Sequence, residues 1–355
     1  MKKILTLFLF SAFTVTLFGG GLVTNTNQSA MFTRLQSRNG SIAPDAVYYN
    51  PAGLTKLGAG FHFSLSNQVI TQKRTVKTEY QPIPGYQPFN DREFKGTVFA
   101  PVFPSVYASL NYKKFAFSFG FNPIGGGGGA KFNDGLPMIE ISASDLVPAL
   151  YSKGVTDYRL NEYFEGTSVF FGYQAGVSYE INNMISVYAG LRYVTAKNTY
   201  SGYLKGIELY NFGGGGTWTR ADAIMTGIAG QATTAATQTG GIVTAGYGGL
   251  TLAQCVTNNI ITQAQADALS TGLQQLGGSP TASTTVSQYN AAFTTFAAKY
   301  TASAALLGDQ TAEVTQTGSG IAPILGVNIS LSDKLNIGLK YEFKTPLTVT
   351  NDTKA

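Results

Sequence analysis

The residues able to do chemistry are few. His62 is the one histidine and Cys255 the one cysteine among 355 residues, so neither a histidine relay nor a cysteine-ligated metal centre can be assembled from them. The glycine run 125–129, followed by Ala130-Lys131-Phe132, lacks the closing Gly-Lys-Ser/Thr of a phosphate loop and is read as a flexible strand end. What remains are isolated cations in otherwise apolar segments: Arg192 and Lys340, near Glu342, and Lys197 towards a strand rim. A cation in low-dielectric surroundings needs an anion. That anion is either a fixed carboxylate, giving an Arg–Glu or Lys–Glu pair that steadies an interior, or the carboxylate of a ligand. Arg192 is the first candidate for a ligand anchor, with Lys340 and Lys197 behind it. The expected chemistry is binding; no catalytic residue, metal or cofactor is predicted.

The segments that carry these cations alternate with a period of two, as strands do when their faces meet different surroundings. Phe115, Phe117, Phe119 and Phe121 interleave with Ala116, Ser118, Gly120 and Asn122. The same pattern runs through 168–180, 185–193, 321–331 and 335–343. By this parity Arg192, Lys340 and Glu342 share the small, polar face, and His62 lies on the same face near the start of the first strand. Alternation alone also suits a soluble sandwich. Three features favour a lipid-facing barrel instead: strands of ten or more residues, polar faces nearly free of charge, and rings near strand ends. Tyr107, Tyr112, Tyr179, Tyr188, Tyr193, Tyr341 and Phe343 are assigned to that aromatic girdle.

Composition agrees. Charged residues make up 12% of the chain, about half the share usual in soluble domains, while mean hydropathy is only +0.04. Apolar residues are therefore spread along the chain, and after residue 21 no run reaches the length of a membrane helix. The net charge of +5 is not gathered into a basic cluster, so nucleic acid is not an expected partner. Residues 1–21, with Lys2-Lys3, an apolar stretch to Phe18 and then Gly19–Gly21, form a secretory signal peptide.

Seven strands are predicted, at about 61–78, 98–112, 114–123, 167–181, 185–204, 319–331 and 334–349. Short turns near Lys113, Asn182 and Ser332 alternate with long segments 79–97, 124–166 and 205–318, the pattern of short periplasmic turns and long external loops. An odd count leaves an edge unpaired in lipid, which leads to the expectation that 61–355 is the first half of a longer barrel.

Residues 22–60 lack alternation and mix turn formers with apolar residues; a compact plug in the lumen and a periplasmic linker are equally compatible with them. The run Asp45-Ala46-x-x-Tyr49-Asn50-Pro51-Ala52-Gly53-Leu54 resembles the hatch motif of the outer-membrane long-chain fatty acid transporters of FadL type. Ser118–Gly125 and Gly338–Pro346 are similar to further segments of that family. The resemblance implies a fourteen-stranded transmembrane barrel, all-β, with an N-terminal hatch at Asn50, Pro51, Ala52 and Gly53. It also implies passive transport of hydrophobic small molecules, most of all long-chain fatty acids, with sideways release into outer-membrane lipid. Asn122, Pro123 and Gly125 would then open the wall, since proline removes a ladder donor. A monomer inserted by the barrel-assembly machinery is implied as well.

Within 205–318, Thr262 begins one helical window, and Tyr289, Phe293, Phe296 and Tyr300 form a helical stripe in a second, a packing face or a hydrophobic groove. This loop is longer than the family pattern and rich in Ala, Thr, Gly and Gln. It keeps open a surface adhesin or structural protein; a general diffusion porin fits less well, because the inward faces carry few charges.

Overall fold

The computed structural model describes residues 28–80, 91–332 and 335–354. The signal peptide expected at 1–21 lies outside the described residues. The fold is all-β, an antiparallel barrel-type wall with helices at one end. Its strands are β1 (Gly60–Lys77), β2 (Glu93–Tyr112), β3 (Phe115–Phe132), β4 (Asp157–Glu180), β5 (Ile185–Tyr210), β6 (Trp218–Arg220), β7 (Gln310–Ser332), β8 (Leu335–Glu342) and β9 (Thr348–Lys354). The sheet order is β1-β2-β3-β4-β5-β7-β8; β6 pairs with the tip of β5. β9 continues β8 along β7, interrupted at 343–347, where Pro346 sits, so the wall has the seven strands expected. Among the described residues no helix is long and apolar enough to cross a membrane.

Side-chain parity is as read from the sequence. Phe115, Phe117 and Phe119 are exposed on the outer face, while Ala116 and Ser118 are buried. Phe61, Phe63, Leu65, Leu191, Tyr193, Ile321, Leu325, Leu339 and Tyr341 extend the exposed apolar band around the sheet. Tyr107 and Tyr188 do not belong to the girdle: both are buried on the inner face, because they share parity with Ser109 and Ser186. The strands also run further outward than alternation shows. β4 begins ten residues before its expected start, β5 extends to Tyr210, and β7 starts at Gln310. Both faces of these outer segments have similar surroundings, so the period-two contrast fades. The glycine run is not a flexible strand end; it lies inside β3 and pairs with β4.

The segment before β1 folds into two short helices, α1 (Ala30–Arg34) and α2 (Ala46–Tyr49), and a 3₁₀ turn at Pro51–Lys56. The 3₁₀ turn touches β2, β3, β4, β5 and β7. The sheet therefore curves around it, and the segment, called the plug from here on, packs against the inner face of the wall. A carboxylate organises it: Asp45 accepts bonds from Arg38, Ser41 and Ser29 at 2.7–2.9 Å, all four residues being buried.

Helices fill the opposite end. α3 (Pro137–Ser144) and α4 (Leu146–Leu150) lie between β3 and β4. Between β6 and β7 come α5 (Ala221–Ile242), α6 (Leu252–Thr257), α7 (Gln263–Gln275) and α8 (Val286–Leu307). The two helical windows read from sequence become four helices in a shorter connection. Thr251, Thr262 and Thr285 each cap a helix, with Gln254, Gln265 and Gln288 closing a reciprocal capping box. Leu252, Cys255, Leu269, Leu273, Tyr289 and Phe293 form the core of this helical cap.

Candidate functional site

The small inward side chains have a definite task. Burying the plug takes its backbone carbonyls out of water, and each needs a donor. Gln174 Nε2 donates to Val47 O, Ser178 Oγ to Pro51 O and Ser186 Oγ to Ala52 O, each at 2.6 Å. Asn111 Nδ2 reaches Leu54 O at 2.7 Å and Asn50 Nδ2 donates to Val327 O at 3.0 Å. Gly338 is required where plug and wall meet, since a Cβ there would stand 1.8 Å from Asn39 O. Asn50, Pro51, Ala52 and Gly53 are all buried in this interface. His62 accompanies it from the edge, its Nε2 2.7 Å from Gly58 O.

Two of the three candidate cations come together beside the plug, at Tyr48. Arg192, 2% exposed, pairs with Glu342 and donates through Nη2 to Gln174 Oε1 at 2.6 Å. Lys340 Nζ lies 3.3 Å from Glu342 Oε2 and donates to Tyr48 O at 2.9 Å. Both cations also sit about 5 Å from the Tyr48 ring centroid, where the ring quadrupole attracts them. Burial pushes the Tyr48 phenol up to about 12, with the Arg192 charge opposing the shift. Two cations against one carboxylate leave the cluster net positive, so it can accept a ligand carboxylate alongside or in place of Glu342. Lys197 is exposed on the outer side of β5 and takes no part.

The wall is not uniformly paired. β3 follows β4 from Phe115↔Tyr179 to Phe132↔Phe164, with bulges at Pro123/Gly125 and Gly126/Gly128. Gly126 has φ +83°, and a Cβ on it would stand 2.1 Å from Ser168 O, so the bulge needs glycine. On its other side β3 leaves β2. Pairing stops after Val106↔Phe121 and resumes at Val98↔Ala130, leaving 99–105 opposite 122–129 unpaired. Asn122, Pro123 and Gly125 all border this gap. Asn122 is buried there, and its Nδ2 has no acceptor. The β2 side of the gap carries Pro101 and Pro104, which have no N–H to offer β3.

Above the wall, a cavity of about 620 Å³ opens between the cap and the outer strand ends, walled by Leu150, Ile224, Ile228, Leu269, Phe293 and Tyr300. Lys153 lies on its wall, and among the described residues no carboxylate is within ion-pair distance of it. Of the predicted stripe, Phe293 and Tyr300 line the cavity. Tyr289 and Phe296 stand behind them, each with its ring centroid 6.3 Å from that of its lining neighbour.

Below α3, in the outer extension of β4, lies a buried carboxyl pair. Glu140 Oε1 accepts from Arg92 and from Tyr158 Oη, the latter at 2.6 Å. Glu140 Oε2 and both Glu162 oxygens have no ordinary donor. Burial, and then the hydrogen bond with Glu140, pushes Glu162 up to about 9, so it stays protonated at neutral pH.

No protein-family model matches the chain, and no curated protein does. Among solved structures it is similar to one described as the crystal structure of the P. putida toluene transporter TodX. The identity is 14% and the TM-score 0.41, over 88% of this chain and 55% of that one. The chain thus spans about half the length of that structure.

Sequence reading missed Pro101, Pro104 and Gln28 at the gap. The prolines were visible: two of them three residues apart in a long strand signal lost donors. Gln28 had no such signal, because it lies in the non-alternating segment.

Proposed function

We propose that this chain forms the wall and hatch of an outer-membrane conduit for hydrophobic small molecules, with long-chain fatty acids as cargo. The carrying observation is the continuous band of exposed Phe, Leu, Ile and Tyr on one face of a sheet whose other face encloses a polar-lined plug. In water so many exposed apolar side chains on one face are what soluble monomers avoid; in lipid they are the required surface. Cargo enters the cavity under the cap with its chain against Phe293 and Tyr300 and its carboxylate near Lys153. It then passes to the net-positive Arg192–Lys340 cluster beneath Tyr48 and leaves through the wall. No bond is made or broken, and no energy source is required.

Vesicles carrying the full-length protein test this. They are expected to accumulate a pyrene-labelled long-chain fatty acid faster than empty vesicles, and not to swell in isotonic sugar. Deleting 221–307 should abolish the saturable capture phase. Swelling in sugar would establish a porin instead, and unchanged capture after the deletion would return the cap to an adhesive or structural role.

A further inference from the structure

The carboxyl pair below α3 has more acceptor capacity than the chain fills. Glu140, on α3, and Glu162, on β4, are 0% and 3% exposed. Tyr158, which bonds Glu140, belongs to an apolar core with Phe94, Phe132, Val147 and Leu209, so little water is at hand to serve either carboxyl. Arg92 and Tyr158 both donate to one oxygen, Glu140 Oε1. Glu140 Oε2 and both Glu162 oxygens lack a hydrogen bond of ordinary geometry. Ser144 Oγ is a fourth oxygen of this kind: it is buried without a partner, one helical turn beyond Glu140 on the buried face of α3. Buried polar atoms are costly unless something serves them. A proton shared between the carboxyls serves two of these four oxygens; a hard cation serves all four.

We propose that Glu140, Glu162 and Ser144 bind a calcium-class divalent cation, with Glu140 Oε2, the Glu162 carboxylate and Ser144 Oγ as protein ligands and water completing the shell. Calcium takes oxygen ligands in irregular shells and accepts a carboxylate through both oxygens, whereas magnesium demands a near-ideal octahedron. Arg92 offsets one of the two negative charges, so the pair keeps one for the ion. Among the described residues no third acidic, histidine or cysteine ligand joins them, which places the expected Kd with the extracellular calcium modules, at ~10⁻⁴–10⁻³ M. In the metal-free chain a proton occupies Glu162, and binding releases it to water. The ion ties α3 to β4, and with it the segment after α3 that carries Leu150 and Lys153 on the cavity wall. The two acids lie on separate elements, so no ligand spacing marks them in the sequence. The site does not depend on the conduit reading.

The test titrates the full-length protein, in detergent micelles, with terbium(III), a luminescent stand-in for calcium. Tyr158, with its Oη 2.6 Å from Glu140 Oε1, is close enough to sensitise the ion. Emission excited through tyrosine is expected to saturate and to be displaced by calcium. Glu162→Gln, which keeps the shape of the carboxyl and removes its charge, should lose that emission. Calcium at about ten times its Kd should slow proteolysis within 133–156 about tenfold, the factor that linkage gives, and should have no such effect on Glu162→Gln; magnesium at the same concentration should protect less. Ser144→Ala removes no charge and should weaken calcium about fivefold, the effect of one lost hydroxyl contact; it keeps the test decisive if Glu162→Gln does not fold. No calcium-displaceable emission from the unaltered protein, or a calcium affinity unchanged by either substitution, would overturn the site and leave the pair sharing a proton alone. No transport is measured, so failure of the site and failure of the conduit reading are separate results.

Discussion

The two sides of the wall are built on different rules. Across β4, β5 and β7, pairing is continuous for twenty or more residues, and the interior there holds the charged cluster of Arg192, Lys340 and Glu342. Across β2 and β3 the ladder is broken, and the side chains that bridge the breach are neutral: Gln28, Ser105 and Tyr107, with Asn122 beside them. Charges buried in an enclosed interior need rigid, well-placed partners, and a continuous ladder supplies them. A breach in lipid tolerates no buried charge, but it can be closed by a side chain with both a donor and an acceptor. Continuous pairing and a broken ladder are thereby assigned to separate strands of one sheet.

Proline substitution should break this contrast most sharply. Ala175 pairs with Phe119 on one side and Leu191 on the other, so Ala175→Pro would strand a carbonyl in lipid at a cost of several kcal/mol. It is expected to abolish assembly, read as loss of the heat-modifiable band on gels. Val102→Pro, inside the gap, should assemble nearly as well as the unaltered protein. A smaller difference is expected between Arg192→Ala and Ser105→Ala. The first leaves Glu342 with Lys340 alone and should cost about 3 kcal/mol in urea unfolding; the second removes one long hydrogen bond and should cost about 0.5 kcal/mol.

The smallest effect concerns pH. Glu162 is held protonated to about 9, and the groups facing it and Glu140 are Arg92 and Tyr158. A carboxyl raised in the folded state contributes most below its unfolded value near 4.5, and that contribution is lost as pH rises through about 9. Proteolysis within 133–156 should therefore quicken between those limits, and Glu162→Gln should flatten the profile.

Much of this was legible from residue spacing. Period-two parity placed Arg192, Lys340 and Glu342 on one face, and the Thr262 cap anticipated a helix start, because strands and helix termini leave local signatures. Tyr107 and Tyr188 show a limit of composition: an aromatic near a strand end looks like a girdle residue, yet parity turns both inward. α5 was missed because its Ala, Thr and Gly residues carry little apolar contrast around the helix. Gln28 could not be found at all, since a bond between residues 28 and 123 leaves no mark on either neighbourhood.

The fully buried position of Cys255 in the helical cap has a practical corollary. Burial also pushes its thiol up, so it offers little thiolate to reagents at neutral pH. The native polypeptide is in effect a silent background for site-directed labelling: probes introduced anywhere along the wall should report their own position, without first removing the chain's own sulfhydryl.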